Sequence, residues 1–178
     1  VAAPTAGLHF TLDLMERLRS IGVRLTFVTL HVGWDSFRPI KTNDLESHKM
    51  HSEYYELNQA AAETINLAKN ENRRVVCVGT TTVRLLEQAA IRSAVPSNNN
   101  ELANELLKAG SGWANIFIYP GYRFKVADGL ITNFHLPRST LLMLTSAFAG
   151  RDFVLEAYRT AIKEQYRFYS LGDAMLVL

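Results

Sequence analysis

One cysteine is all that the 178 residues contain. Cys77 therefore has no internal disulfide partner, which excludes a disulfide scaffold and fits a reducing compartment. The cytoplasm is the expected location. Cys77 lies in the apolar run Val75-Val76-Cys77-Val78 with no adjacent base, so it reads as a small buried hydrophobe rather than a thiol nucleophile. Long apolar runs are missing too. The longest uncharged apolar stretch, Ser139 to Gly150, falls short of the roughly 20 residues a membrane-spanning helix needs. The start of the chain has no basic region followed by an apolar one, so neither a secretory leader nor a membrane partner is expected. It opens on Val1 rather than Met, as a processed or trimmed chain would. Charge of one sign is scarce: 19 Lys and Arg against 17 Asp and Glu leave a net +2, which permits an anionic partner without demanding one. What remains is an ordinary globular balance, 48% hydrophobic and 20% charged, and it excludes disorder and collagen-like structure. A domain of this length buries roughly 70% of its unfolded surface, and a single domain is expected.

Helices and strands alternate along the chain. Leu12, Met15, Leu18 and Ile21 recur at helical spacing and predict a helix over Thr11–Ser20, stopped by Gly22. Arg24–Val32 is rich in Val, Thr and Phe and reads as a strand. Gly33–Glu53 is irregular. A second helix is predicted over Asn58–Lys69 with Asn58 as cap. The short apolar strand Arg74–Val78 is of the kind buried on both faces, and Thr80 or Thr81 caps the helix after it. Residues 93–112 break the pattern with Pro96, the run Asn98-Asn99-Asn100 and Gly-Ser-Gly, and read as a surface insertion. Strands are predicted over Asn115–Tyr119, Arg123–Val126 and Leu130–Phe134, then a helix over Ser139–Ala149 and another capped by Asp152. Strand pieces follow at Phe168–Ser170 and Ala174–Leu178. The alternation predicts an α/β fold, a mainly parallel sheet with helices on both faces.

Ligands of open α/β sheets bind beyond the carboxyl ends of strands. Polar segments adjoin such places at Pro4–Phe10, Thr29–Gly33, Gly79–Arg84 and Thr132–Pro137. Gly79-Thr80-Thr81-Thr82 follows a strand and opens a helix, where backbone N–H groups and the helix dipole favour an anion. It lacks the glycines and lysine of a P-loop and the dinucleotide fingerprint. Arg84, one turn in, could pair with a carboxylate or phosphate. His135, just past a strand and followed by a Leu136 that Pro137 holds extended, suits general acid–base work near neutral pH. His9 stands before a helix, and His31 within a strand reads as structural. His48 and His51 are three apart, but no zinc spacing such as His-Glu-x-x-His is present and no metal is expected. His51 with Glu53 reads better as a proton-handling or positioning pair. No Gly-x-Ser-x-Gly elbow supports a serine hydrolase.

Taken together these segments resemble a known family. Ala2–Phe10, Thr29–Gly33, His51–Tyr54, Gly79–Arg84, Phe117–Gly121, Thr132–Pro137 and the tail Tyr166–Met175 are similar, in order, to motifs of the S-adenosylmethionine:tRNA ribosyltransferase-isomerases of queuosine biosynthesis. The likeness covers nearly the whole chain and corresponds to the C-terminal portion of that family's catalytic domain. It implies transfer and isomerisation of the ribosyl moiety of S-adenosylmethionine onto 7-aminomethyl-7-deazaguanine at the tRNA wobble position. Epoxyqueuosine forms, and adenine and methionine leave. S-adenosylmethionine is then a co-substrate and tRNA a partner, with no prosthetic group. Within this reading His135, His9, His51 and Glu53 are the candidate proton handlers. Thr5, Gly7, Thr80, Thr81, Thr82, Arg84 and Asn133 are the candidate substrate-binding residues, with Asn133 suited to a base edge. A monomer is the expectation. Two departures stand out: the family's inserted β-barrel domain lies outside this chain, and Gly33-Trp34-Asp35-Ser36-Phe37 replaces a smaller loop, where Trp34 could stack on a base. The alternative is a truncated, inactive module that binds tRNA or S-adenosylmethionine.

Overall fold

The computed structural model describes residues 3–33, 50–94 and 105–178. Trp34, His48 and most of the loop around each lie outside them. The chain begins with a 3-10 turn, Thr5–His9, and helix α1, Leu12–Ser20. Strand β1 is Thr29–His31, shorter than the stretch expected from sequence. Then come β2, Glu53–Leu57, α2, Gln59–Asn70, β3, Val76–Val78, and α3, Thr80–Ser93. Strands β4, Gly110–Ala114, and β5, Gly129–Asn133, precede α4, Thr140–Ala149, α5, Arg151–Lys163, and β6, Ala174–Val177.

Local chemistry accounts for several of these starts. The side chains of Thr11, Asn58 and Ser139 each accept an N–H from the residue three further on, at the mouths of α1, α2 and α4. Such caps satisfy donors that a helix leaves unpaired. Neither Thr80 nor Thr81 caps α3, contrary to expectation. Gly79 holds that position at φ +93°, and the Thr82 hydroxyl donates back to the Val78 carbonyl, 2.8 Å away. Gly150, not Asp152, precedes α5.

The described residues form a mixed α/β fold with two three-stranded sheets, in the orders β1-β2-β4 and β3-β5-β6. The mainly parallel sheet expected from the sequence holds only for the pair β3/β5. The β1/β2, β2/β4 and β5/β6 pairings are antiparallel. The cause lies partly in helix α3, which is buried on most of its circumference and touches both sheets. Its side chains take backbone groups that a further strand would have used. Arg84 Nε donates to the Ile116 carbonyl and the Asn115 N–H donates to Gln88. The fully buried Glu87 carboxylate accepts the N–H groups of Lys125, Val126 and Ala127, and the Tyr122 hydroxyl. Segments 115–119 and 123–126 therefore run as ordered, non-strand chain, because buried backbone groups need partners but not necessarily a ladder.

The span read as a surface insertion reaches the interior. Leu107 is fully buried, Asn66 exchanges two hydrogen bonds with its backbone, and from Gly110 the chain is the edge strand β4. One core cluster joins Tyr55, Leu57 and Ala114 of the first sheet to Cys77, Leu130 and Val177 of the second through Leu85 and Leu86 of α3. A smaller aromatic cluster gathers Phe134, Val154 and Tyr158. No helix among the described residues is long and apolar enough to cross a membrane.

Candidate active site

The parallel pair ends with Val78 opposite Ile131. Just beyond, the Gly79 N–H donates to the Ile131 carbonyl at 2.8 Å, so the start of α3 is tied to the end of β5. The 3-10 turn Thr5–His9 closes over this junction. Its buried Ala6 packs so near Gly79 that a Cβ there would lie 3.9 Å from Ala6 Cβ. The positive φ makes a side chain at Gly79 strained in any case.

Asn133, the last residue of β5, is almost wholly buried and ties three segments together. Its Oδ1 accepts from the Thr5 hydroxyl at 3.4 Å, and its Nδ2 donates to His9 Nε2 at 3.2 Å and to the Gly172 carbonyl at 3.2 Å. Gly172 belongs to a loop built on close backbone approach, since a Cβ there would lie 2.5 Å from the Phe168 carbonyl oxygen and nearer still to that of Arg167. In the same loop Asp173 is bridged by Arg167 at 2.7 Å. Hydrogen bonds from the Arg167 side chain and backbone hold the Asp173 carboxyl below its ordinary pKa. Thr80 and Thr81 are buried at the start of α3, whereas Gly7 is exposed with open space around it.

His135 lies on another side of the strand end. Successive residues of a strand face opposite ways, and His135 keeps company with Thr132 rather than Asn133. Its Nε2 is 2.7 Å from the Thr132 hydroxyl, and its backbone N–H donates to the Tyr158 hydroxyl at 2.9 Å. It lines a cavity of about 430 Å³ with Pro137, Leu142, Tyr158, Phe168 and Tyr169. Burial pulls the His135 pKa down to about 4, because low-dielectric surroundings disfavour the imidazolium. The same effect pushes the Tyr158 phenol up to about 12.

Arg84 and Glu53 form a third group. Arg84 is 3% exposed and Glu53 1%, with Nη1 2.6 Å from Oε2. Arg84 Nη2 also donates to the carbonyls of His51 and Ala114, each at 3.1 Å. Burial lowers the guanidinium pKa, and Glu53 opposes the shift. The pair bolts α3 to the first sheet. The structure thus brings Thr5, His9 and Asn133 together beside Gly79, and brings Glu53, Arg84 and the His51 backbone together. The His51 side chain is exposed. No group of three or more His, Cys, Asp or Glu is placed to hold a metal ion among the described residues. Sequence reasoning missed Gly172, Asp173 and Tyr158. The Gly-Asp pair in the tail was the available signal for the first two; nothing local marks Tyr158.

The chain is an α/β protein in which a helix start and a short turn converge on the carboxyl ends of a parallel strand pair, the place where open-sheet proteins of that class bind ligands. Its particular membership is clear from comparison with known proteins. The family model described as queuosine biosynthesis protein matches residues 1–177, and the chain belongs to that family. It is 58% identical over 99% of its length to the S-adenosylmethionine:tRNA ribosyltransferase-isomerase of Moorella thermoacetica. It is 57% identical, again over 99%, to that of Heliobacterium modesticaldum. It covers 48% of each of those proteins, so the chain spans about half the length of the curated relatives it matches. A crystal structure of an S-adenosylmethionine tRNA ribosyltransferase from Thermotoga maritima is similar over 98% of this chain and 51% of that one, with TM-score 0.76 and 44% identity.

Proposed function

We propose that this chain forms the C-terminal part of an S-adenosylmethionine:tRNA ribosyltransferase-isomerase, the family's β-barrel lying outside it. In this reading the enzyme moves the ribosyl group of S-adenosylmethionine onto 7-aminomethyl-7-deazaguanine at the tRNA wobble position. Epoxyqueuosine forms, and adenine and methionine are released. The sulfonium acidifies the neighbouring ribose carbon, a base takes that proton, the neutral amine attacks, and adenine departs. These steps call for proton-transfer groups and a pocket sheltered from water. The observation that carries the reading is the convergence of the Thr5–His9 turn, the Gly79 helix start and Asn133 at the end of β5, in a chain 58% identical to an enzyme of that name. Thr5, Gly7, Thr80, Thr81 and Thr82 belong to the segments that would receive substrate. His135, in its apolar cavity, and the exposed His51 are the proton-transfer candidates. Arg84 and Glu53 act through the framework by holding the first sheet against α3.

Incubation with S-adenosylmethionine and substrate tRNA, followed by chromatography for adenine, tests the reading. Adenine release that depends on both substrates is expected, and His135→Ala should lower it by about two to four decades. Release from S-adenosylmethionine without tRNA would point to a hydrolase instead. The half-length span favours a second reading, a module that binds S-adenosylmethionine or tRNA without turnover. Binding of either substrate with no adenine formed would select it.

A further inference from the structure

Asn133 decides which nitrogen of His9 carries a hydrogen. The Gly172 carbonyl can only accept, so the amide group facing it must be Nδ2, and the Thr5 hydroxyl at Oδ1 agrees with that orientation. An amide nitrogen can only donate. The same Nδ2 lies 3.2 Å from His9 Nε2, so Nε2 must present its lone pair. A neutral imidazole with an unprotonated Nε2 has its hydrogen on Nδ1. We infer that Asn133 is a positioning residue that fixes His9 as the Nδ1–H tautomer, making its exposed edge a hydrogen-bond donor to a substrate oxygen or ring nitrogen and not a base.

The restraint has a structural origin. The Gly172 carbonyl is held where the loop backbone folds against Arg167 and Phe168, a conformation with no room for a side chain. Asn133 is 3% exposed, so water does not offer its amide an easy alternative partner. Asp173, in the same loop as Gly172, is bridged by Arg167 at 2.7 Å. The substrate-facing role of His9 rests on the transferase-isomerase reading, whereas the tautomer does not.

Long-range proton–nitrogen correlation spectra of the chain labelled with nitrogen-15 histidine test the tautomer. Near neutral pH the His9 signals, assigned by their loss in His9→Gln, should show an imine-type Nε2 and a pyrrole-type Nδ1. Asn133→Asp puts only acceptors at this point and should move the hydrogen to Nε2. Asn133→Ala should let the two nitrogen shifts converge as tautomers exchange. Wild-type His9 protonated on Nε2, or an unchanged tautomer in a folded Asn133→Asp, would overturn the inference. If both variants failed to fold, the wild-type spectrum would still decide it. Neither spectrum needs substrate, so absent adenine release would sink the function and leave the tautomer standing.

Discussion

Arg84 carries its charge into a place that water barely reaches. A buried ion pair is a weak source of net stability, but removing one partner strands the other. Arg84→Ala should therefore cost about 3–5 kcal/mol, read as a lower urea midpoint, while Arg84→Met combined with Glu53→Gln should recover much of that loss. A single replacement no worse than the double one would deny the pair its role. His135 makes a different prediction. Its folded pKa of about 4 lies below the ordinary 6.5, so between these values the unfolded chain binds a proton that the folded chain refuses. The contribution is complete above about pH 6.5 and is lost as pH falls toward 4. Urea midpoints taken across that window should fall more steeply for the wild type than for His135→Gln; equal slopes would show that the imidazole is not sheltered. Nothing in the dipeptides around these residues distinguishes them. The sequence offers Arg84, one turn into a helix, as the partner of a carboxylate or a phosphate, and the tertiary packing of α3 sets it against the Glu53 carboxylate.

At the scale of elements, the loop after α5 connects most of the candidate site. The Tyr169 N–H donates to the Phe134 carbonyl, the Gly172 carbonyl receives Asn133, and Asp173 pairs with Arg167 through side chain and backbone. Gly172→Ala forces a Cβ against two carbonyl groups. Overpacking of this kind typically costs about 1–3 kcal/mol. A lower melting temperature and the release of His9 from its single tautomer should appear together. A normal melting temperature with the tautomer unchanged would mean that the loop adapts. Helix starts at Thr11, Asn58 and Ser139 were legible because a cap is settled within four residues. The strands expected at 115–119 and 123–126 were not, because Glu87 and Arg84 compete for that backbone from some 30–40 residues away.

For the molecule as a whole, the two sheets share one core through α3. That arrangement predicts a single cooperative unfolding transition. Trp113 reports on the first sheet, most directly with Trp34→Phe. Cys77 reports on the second, since burial raises its thiol to about 12 and leaves it unreactive until the sheet opens. Fluorescence and thiol labelling should share one urea midpoint, and two separate midpoints would divide the molecule in two.

By itself the sequence determined the α/β class, the Asn58 cap, the buried character of Cys77 and the ordered motifs of the family, because each is written in residues close together or in their order. Pairing direction, the enclosure of Arg84 with Glu53, the cavity beside His135 and the junction of Thr5, His9, Asn133 and Gly172 belong to the tertiary structure. These depend on contacts between residues as much as 128 positions apart. A hydrogen bond over that distance leaves no local pattern, because its geometry exists only once both segments have packed on the same strand end.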